Sequence, residues 1–340
     1  MWRLCSTKLA VSAIFQFAKP KKHPFTCMLL LVVLSSKTSL AKVYNLPQND
    51  SKLIGSMHTH VAQKGDYFQA LAEQYDVGFM SLMAANKHLD PFLIKPNQLV
   101  HIPHQMILPF AERKGIVINL SEFRLYYFDQ ANQQVHVFPI GIGRQGLSTP
   151  KVISYIGDKR ENPTWRPTEQ MKARHFAEHG THLPEVVQPG PDNPFGKYAL
   201  RIGTSQYLIH GTNKRFGIGM RASSGCIRMY DDDIKWLFDN VEVKTQVRIV
   251  DQPIKMSYEP IGPRLIEIHQ PLSVGEIEPE LGSNNDIEQT VKGPNKLSNT
   301  EQLQPYISNA VKAFTESGEL RKQYFMKLVE QADGLVHPLP

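Results

Sequence analysis

The stretch from Ile209 to Tyr230, I-H-G-T-N-K-R-F-G-I-G-M-R-A-S-S-G-C-I-R-M-Y, constrains this chain more than any other. His210 precedes Cys226 by sixteen positions, Gly211, Gly217, Gly219 and Gly225 lie between them, and Arg228 follows the cysteine by two. A thiol with its free pKa of about 8.5 is mostly protonated at neutral pH, so a nucleophilic cysteine needs a neighbouring base or a positive field. His210 is that base if the chain folds back to bring the two together. Gly225 and Cys226 offer successive backbone N–H groups for an oxyanion, and the planar fork of Arg228 suits a carboxylate. The plainer alternatives are a buried structural cysteine beside a glycine-rich loop, and for Arg228 an ion pair with an aspartate among residues 231–233.

Charge and cysteine usage narrow the class. The formal net charge of +6 arises entirely from residues 1–41, which carry Arg3, Lys8, Lys19, Lys21, Lys22 and Lys37 and no acidic residue. The remainder is formally neutral and has no electrostatic footprint for nucleic acid. Within 1–41 a basic segment, Lys19 to Phe25, precedes the apolar core Cys27 to Leu34 and the small-residue site Ser39-Leu40-Ala41. That is the order of a secretory signal peptide, and the apolar run is too short for a membrane span. The mature chain is therefore expected to be exported without a transmembrane segment. Of three cysteines only Cys226 lies beyond that leader, and an unpaired thiol in an exported protein signals reactivity.

Downstream, residues 58–104 form a compact unit. His60-Val-Ala62 reads as a strand, and Phe68, Leu71, Ala72 and Tyr75 follow helical spacing, with Asp66 as N-cap. A second helix carries Phe79, Leu82, Met83 and Asn86, and Leu99 to Pro103 closes the unit as a strand. This β-α-α-β order, with G-D-Y-F-Q-A-L-A, Ala85-Asn86 and L-V-H-I-P, resembles a LysM module, which implies binding to the glycan strands of peptidoglycan.

Residues 113–252 are rich in strands. Ile116 to Leu120, Leu125 to Phe128 and Val135 to Ile140 are apolar runs joined by short connections, which predicts antiparallel pairing in a sandwich or barrel. Asp231 to Asp233 open a helix in which Ile234, Leu237 and Phe238 make an apolar stripe. In the polar stretch 166–182, His175 and His179 would share one face of a helix, but H-F-A-E-H is not a metalloprotease motif and no metal is expected there.

The H-G-T of 210–212, the spacer and S-S-G-C-I-R of 223–228 together resemble the signature of the L,D-transpeptidases, the YkuD-type domain. Gly141 to Arg144, Ser148-Thr149-Pro150, Asn162 to Trp165 and the Pro/Gly-rich run from Gln188 to Arg201 match further segments of that family. Lys151-Val152 stand where the family has a glycine soon after T-P, and Ser224 stands where many members have histidine. The resemblance implies a mainly β fold with a sandwich or barrel-like catalytic domain and few helices. It implies Cys226 as nucleophile, His210 as base, Gly211 as the carbonyl that orients the imidazole, and Gly225 with Cys226 as oxyanion donors. Arg228, Ser224, Ser223 and Thr212 are assigned to substrate, 166–200 to a lid, and no cofactor is implied.

The implied reaction is attack on a peptidoglycan tetrapeptide stem, with loss of D-Ala and formation of a thioester that an amine captures. The two-module layout and Leu265 to Leu272 look most like the lipoprotein-anchoring members of Gram-negative bacteria. The expected acceptor is thus the C-terminal Lys of an outer-membrane lipoprotein, and the expected location the periplasm. Cross-linking of two stems, hydrolysis, and a non-enzymatic wall-binding adaptor are the alternatives. Residues 253–340 read as an extension: Leu265 to His269 as an edge strand, 273–304 as linker or disorder, and 306–328 as an amphipathic helix.

Overall fold

Why the three apolar runs are continuous rather than alternating becomes clear from where their side chains go. In this computed structural model, which describes residues 42–260, 262–272, 298–315 and 319–339, the strands Gly115–Asn119, Arg124–Asp129 and Gln134–Pro139 are buried on both faces. Ile116, Ile118, Leu125 and Phe138 enter one core, while Val117, Tyr126, Phe128, Val135 and Val137 enter another on the opposite face. Period-2 side-chain alternation between two apolar layers gives unbroken hydrophobic runs. The three strands pair antiparallel, with Ile116 opposite Tyr127 and Tyr127 opposite His136. The export leader expected over 1–41 and most of the expected linker, 273–297, lie outside the described residues.

These strands belong to a curled nine-stranded sheet. Lys42–Asn45 adds to one side, and Gln246–Val250, Val152–Glu161, Tyr198–Ile202, Leu208–His210 and Ile227–Arg228 extend the other. Two further pairings in this sheet are parallel: Gln246–Val250 with Gly115–Asn119, and Leu208–His210 with Ile227–Arg228. A parallel neighbour needs a long connection, and the glycine-rich loop between His210 and Ile227 supplies one.

The unit before the sheet has the expected β-α-α-β order. Strands His58–Val61 and Leu99–Ile102 pair antiparallel beside helices Phe68–Tyr75 and Phe79–Ala85. Asn86 is fully buried and joins helix to strand, donating to the Leu82 and His101 carbonyls at 2.8 Å each and accepting the His101 amide at 2.7 Å. Asp66 is not the N-cap: Tyr67 holds that position. The Asp66 carboxylate instead accepts the Gln63 amide at 2.7 Å and meets His60 Nε2 at 2.7 Å, which closes the turn before the helix.

Beyond residue 253 the chain builds a second core. Arg264–Ile268 is not an edge strand but the centre of a three-stranded sheet, flanked by Ile254–Tyr258 and Val336–Leu339. Its second partner comes from the far end of the chain, so no local pattern announces it. The single helix expected over 306–328 is divided into Asn309–Thr315 and Glu319–Gln331, after a short helix Asn299–Leu303 opened by a Ser298–Glu301 capping box. Pro305 and the Ser308 hydroxyl, which accepts the Val311 amide at 3.3 Å, separate Asn299–Leu303 from Asn309–Thr315. Val311, Phe314, Phe325, Leu328 and Val329 bury against this small sheet.

A buried ion cluster ties the parts together. Lys255 Nζ lies 2.9 Å from both Glu122 and Glu267, and all three side chains are fully buried. Arg124 bridges the same carboxylates at 2.9 and 3.0 Å and donates to the Pro103 carbonyl. Glu267 also accepts the Ile107 amide at 2.6 Å and meets His269 Nε2 at 2.7 Å. Glu122, Glu267 and His269 are spaced like a metal ligand set, but the Lys255 ammonium sits between the carboxylates and supplies the cation. Burial alone would raise both glutamates, and Lys255, His269 and Arg124 together outweigh it, holding both below the usual carboxylate range. Lys255→Met leaves two buried carboxylates with Arg124 as their principal cation and is expected to cost about 3–5 kcal/mol, read by denaturant unfolding. Because the folded pKa values are depressed, this stabilisation is present above about pH 4.3 and is lost as pH falls through the folded values. Thermal midpoints of the wild type should drop on acidification accordingly.

Candidate active site

The parallel pair of Leu208–His210 and Ile227–Arg228 sets the site. Ile209 opposes Ile227 and His210 opposes Arg228. Both isoleucines are fully buried in the core, so their neighbours Leu208, His210, Cys226 and Arg228 emerge on the other face by strand alternation. His210 and Cys226 are thus diagonal neighbours, a separation of about 7–8 Å between backbones that side chains can span.

His210 is buried, and its Nδ1 lies 2.6 Å from the Gly211 carbonyl oxygen. A carbonyl only accepts, so Nδ1 carries the hydrogen and Nε2 is left with its lone pair. The Phe195 ring packs edge-on against the imidazole at 4.8 Å. Burial pulls the imidazole down to about 3, the Arg228 cation adds to this, and the Gly211 bond opposes it. The histidine is therefore neutral at ordinary pH.

Cys226 keeps partial exposure, with Sγ 4.0 Å from the Gln206 carbonyl oxygen. Crowding by protein pushes the thiol up from its ordinary value, while the Leu208 amide, Arg228 and Arg201 pull it down without prevailing. The resting pair is a neutral thiol and a neutral imidazole. Among the described residues no carboxylate pairs with the Arg228 guanidinium, and its Nε is buried without a hydrogen-bond partner. The ion pair with residues 231–233 is not formed. Arg228 is held instead through its backbone, which exchanges two 2.9 Å hydrogen bonds with Gly141.

The turn before the cysteine is fixed from within. Gly225 N–H donates to Ser223 Oγ at 3.1 Å, Ser223 Oγ donates to the Cys226 carbonyl at 2.5 Å, and Thr149 Oγ1 donates to the Gly225 carbonyl at 2.8 Å. The Gly225 amide expected in an oxyanion hole is thus spent on Ser223, because the turn needs it. Ser223 and Thr212 are buried, and the Thr212 hydroxyl accepts the Lys214 amide at 3.0 Å, so both brace turns rather than face a ligand. Ser224 is exposed and meets Arg174 Nη2 at 3.4 Å.

Arg174 belongs to the helix Glu169–His179, which Thr168 caps and which reaches the turn before Cys226 through Ser224. Glu178 of that helix pairs with Arg144 at 2.7 Å. His175 and His179 stack ring on ring at 4.5 Å. The helices Phe68–Tyr75 and Phe79–Ala85 support the loop that precedes Cys226. Met80 N–H donates to the Gly219 carbonyl at 3.1 Å, Arg215 meets Glu73 at 3.1 Å, and a Cβ on Gly219 would stand 2.2 Å from the Phe79 nitrogen.

Sequence reading missed Phe195, Tyr207, Arg174 and this loop support. Phe195 and Thr149 lay inside recognised segments without an assigned task, whereas the support by Gly78 and Phe79 has no local signal. Gly225→Ala should cut turnover about 100-fold with the fold retained: its φ is +105° and a Cβ would meet the Tyr207 ring at 2.8 Å, displacing Cys226. Steady-state kinetics beside circular dichroism checks this. Arg228→Gln should move the iodoacetamide alkylation profile of Cys226 to higher pH than wild type, since a cation that stabilises the thiolate is removed.

Residues 113–249 match the YkuD L,D-transpeptidase catalytic domain, 253–336 the L,D-transpeptidase C-terminal domain and 60–103 the LysM domain. The chain is 40% identical over 301 residues to the probable L,D-transpeptidase YcfS of Escherichia coli K12, covering 87% of each chain. It is 47% identical over 255 residues to the probable L,D-transpeptidase ErfK/SrfK and 44% identical over 250 residues to the probable L,D-transpeptidase YbiS of the same strain. Each of these two alignments covers 73% of this chain and 81% of the relative. The chain belongs to the L,D-transpeptidase family.

Proposed function

We propose that this L,D-transpeptidase works in the periplasm, taking the peptidoglycan tetrapeptide stem as acyl donor on Cys226 and passing it to the C-terminal Lys of an outer-membrane lipoprotein. One observation carries the catalytic part: a buried neutral His210, with Nδ1 committed to Gly211, shares a sheet face with Cys226 and an Arg228 that, among the described residues, no carboxylate neutralises. An unpaired, half-desolvated guanidinium favours an anion on a ligand. A stem carboxylate satisfies it and places the neighbouring carbonyl over the thiol.

The resting neutral pair sets the order of events. As Sγ bonds to the carbonyl carbon of the third stem residue, the thiol proton passes to Nε2, and the same imidazolium then protonates the departing D-Ala amine. Charge develops only during attack, where Arg228 stabilises it. With the Gly225 amide committed to Ser223, the amide of Cys226 is the remaining member of that pair for the oxyanion. The LysM module holds glycan strands near the site.

Intact-mass analysis of the protein with disaccharide-tetrapeptide, with and without a Lys-terminated lipoprotein peptide, tests this directly. The expected result is D-Ala loss and transfer to the peptide Lys, abolished in Cys226→Ala. Stem–stem dimers would replace the lipoprotein acceptor by a second stem, water-only product would make the protein a hydrolase, and no turnover would leave a wall-binding adaptor. Because His210 is held at about 3, kcat/KM should show no His210-linked fall between about pH 7 and pH 5, where a free histidine near 6.5 would lose most of its base form.

A further inference from the structure

At the Gly157–Gly203 end of the hairpin formed by Val152–Glu161 and Tyr198–Ile202 lies an open surface groove of about 490 Å³ that the proposed chemistry does not use. Its floor is bare because Gly157 and Gly203 face each other: a Cβ on Gly157 would stand 2.0 Å from the Gly203 carbonyl oxygen. Tyr155 and Val243 form an exposed apolar wall, and Arg201 and Lys244 supply cations. Lys244 is exposed, and among the described residues no carboxylate pairs with it. Arg201 is half-buried and shares Asp158, at 2.6 Å.

Register places this groove on the face that carries the thiol. Leu200 and Ile202 enter the core, so Arg201 points the other way, opposite Leu208. Leu208 in turn lies beside Cys226, whose sulfur its amide contacts. Arg201, Leu208 and Cys226 therefore form a row across three strands, about 10 Å end to end at 4.8 Å per strand. The helix Glu169–His179 belongs to the other end of the same hairpin, between Glu161 and Tyr198. A ligand beside that helix and a ligand in the groove would thus approach Cys226 from two directions.

We propose that this groove binds the acyl acceptor: an aliphatic primary amine carried by an amino acid whose free carboxylate is held by Lys244 and Arg201. The Tyr155–Val243 wall takes the acceptor's apolar part, and the amine extends past Leu208 to the thioester. There its nitrogen bonds to the thioester carbonyl carbon, the C–S bond breaks, and the amine's proton passes through His210 Nε2 to the leaving sulfur, regenerating the thiol. This inference rests on the reading of Cys226 as nucleophile. Both a Lys-terminated peptide and the diamino acid of a second stem carry this amine-plus-carboxylate chemistry.

The test separates the two half-reactions in the full chain. Thioester formation is followed by intact mass with disaccharide-tetrapeptide alone, and transfer by varying the acceptor over the preformed thioester. The acceptors are a Lys-terminated peptide, the same peptide amidated at its C-terminus, and the disaccharide-tetrapeptide itself. Lys244→Glu should raise the KM of the free-carboxylate peptide about tenfold, with Lys244→Arg restoring it. The amidated peptide should be poor with wild type and no poorer with the variant. Tyr155→Ala should raise KM for both peptides. Whichever carboxylate-bearing acceptor shows the Lys244-dependent loss is the one the groove takes. Equal losses in thioester formation and transfer, or equal losses for free and amidated peptide, would overturn the groove assignment while leaving Cys226 as nucleophile. Absence of a thioester in the wild type would overturn both.

Discussion

Two residues of parallel pairing, Ile209 with Ile227 and His210 with Arg228, hold the chemistry of this protein together. Because the two isoleucines are driven into the core, alternation forces the histidine, the cysteine and the arginine onto one outer face. The loop that makes the parallel return is long and glycine-rich, and it is costly to hold in one shape. Its anchoring is spread over the Gly219–Met80 hydrogen bond, the Arg215–Glu73 pair and the Gly219 packing against Gly78 and Phe79. The helices of the LysM domain are in this way part of the support of the turn that carries Cys226.

Electrostatics divides the molecule into two regimes. In the Lys255–Glu122–Glu267–Arg124 cluster every buried charge has partners, and the cluster joins the exit of the LysM domain, the main sheet and the small C-terminal sheet. At the site the balance is left incomplete. Arg228 is partly desolvated and, among the described residues, has no carboxylate, and burial keeps both His210 and Cys226 uncharged. Such an unmet charge is tolerated where a ligand supplies the counter-charge.

Sequence-level rules failed in places that share a cause. Asp66 looks like an N-cap, yet its carboxylate is drawn to Gln63 and His60. The Gly225 amide looks free for an oxyanion, yet the Ser223 hydroxyl two residues away takes it. Arg264–Ile268 looks like an edge strand, yet Val336–Leu339 completes its other side. In each case the local pattern was read correctly, and a competing partner decided the outcome.

The class of the fold, the LysM domain and the residue types of the candidate site were legible in the chain itself. Short-range order carries those signals: a fixed His–Cys–Arg spacing, apolar runs, and helix periodicity. Which face Cys226 shares with His210, whether Arg228 meets a carboxylate, how deeply Lys255 is buried and where a groove opens beside Arg201 were decided only by tertiary structure. Those properties depend on registers between strands far apart in sequence, and on desolvation, which exists only once distant segments pack around a side chain.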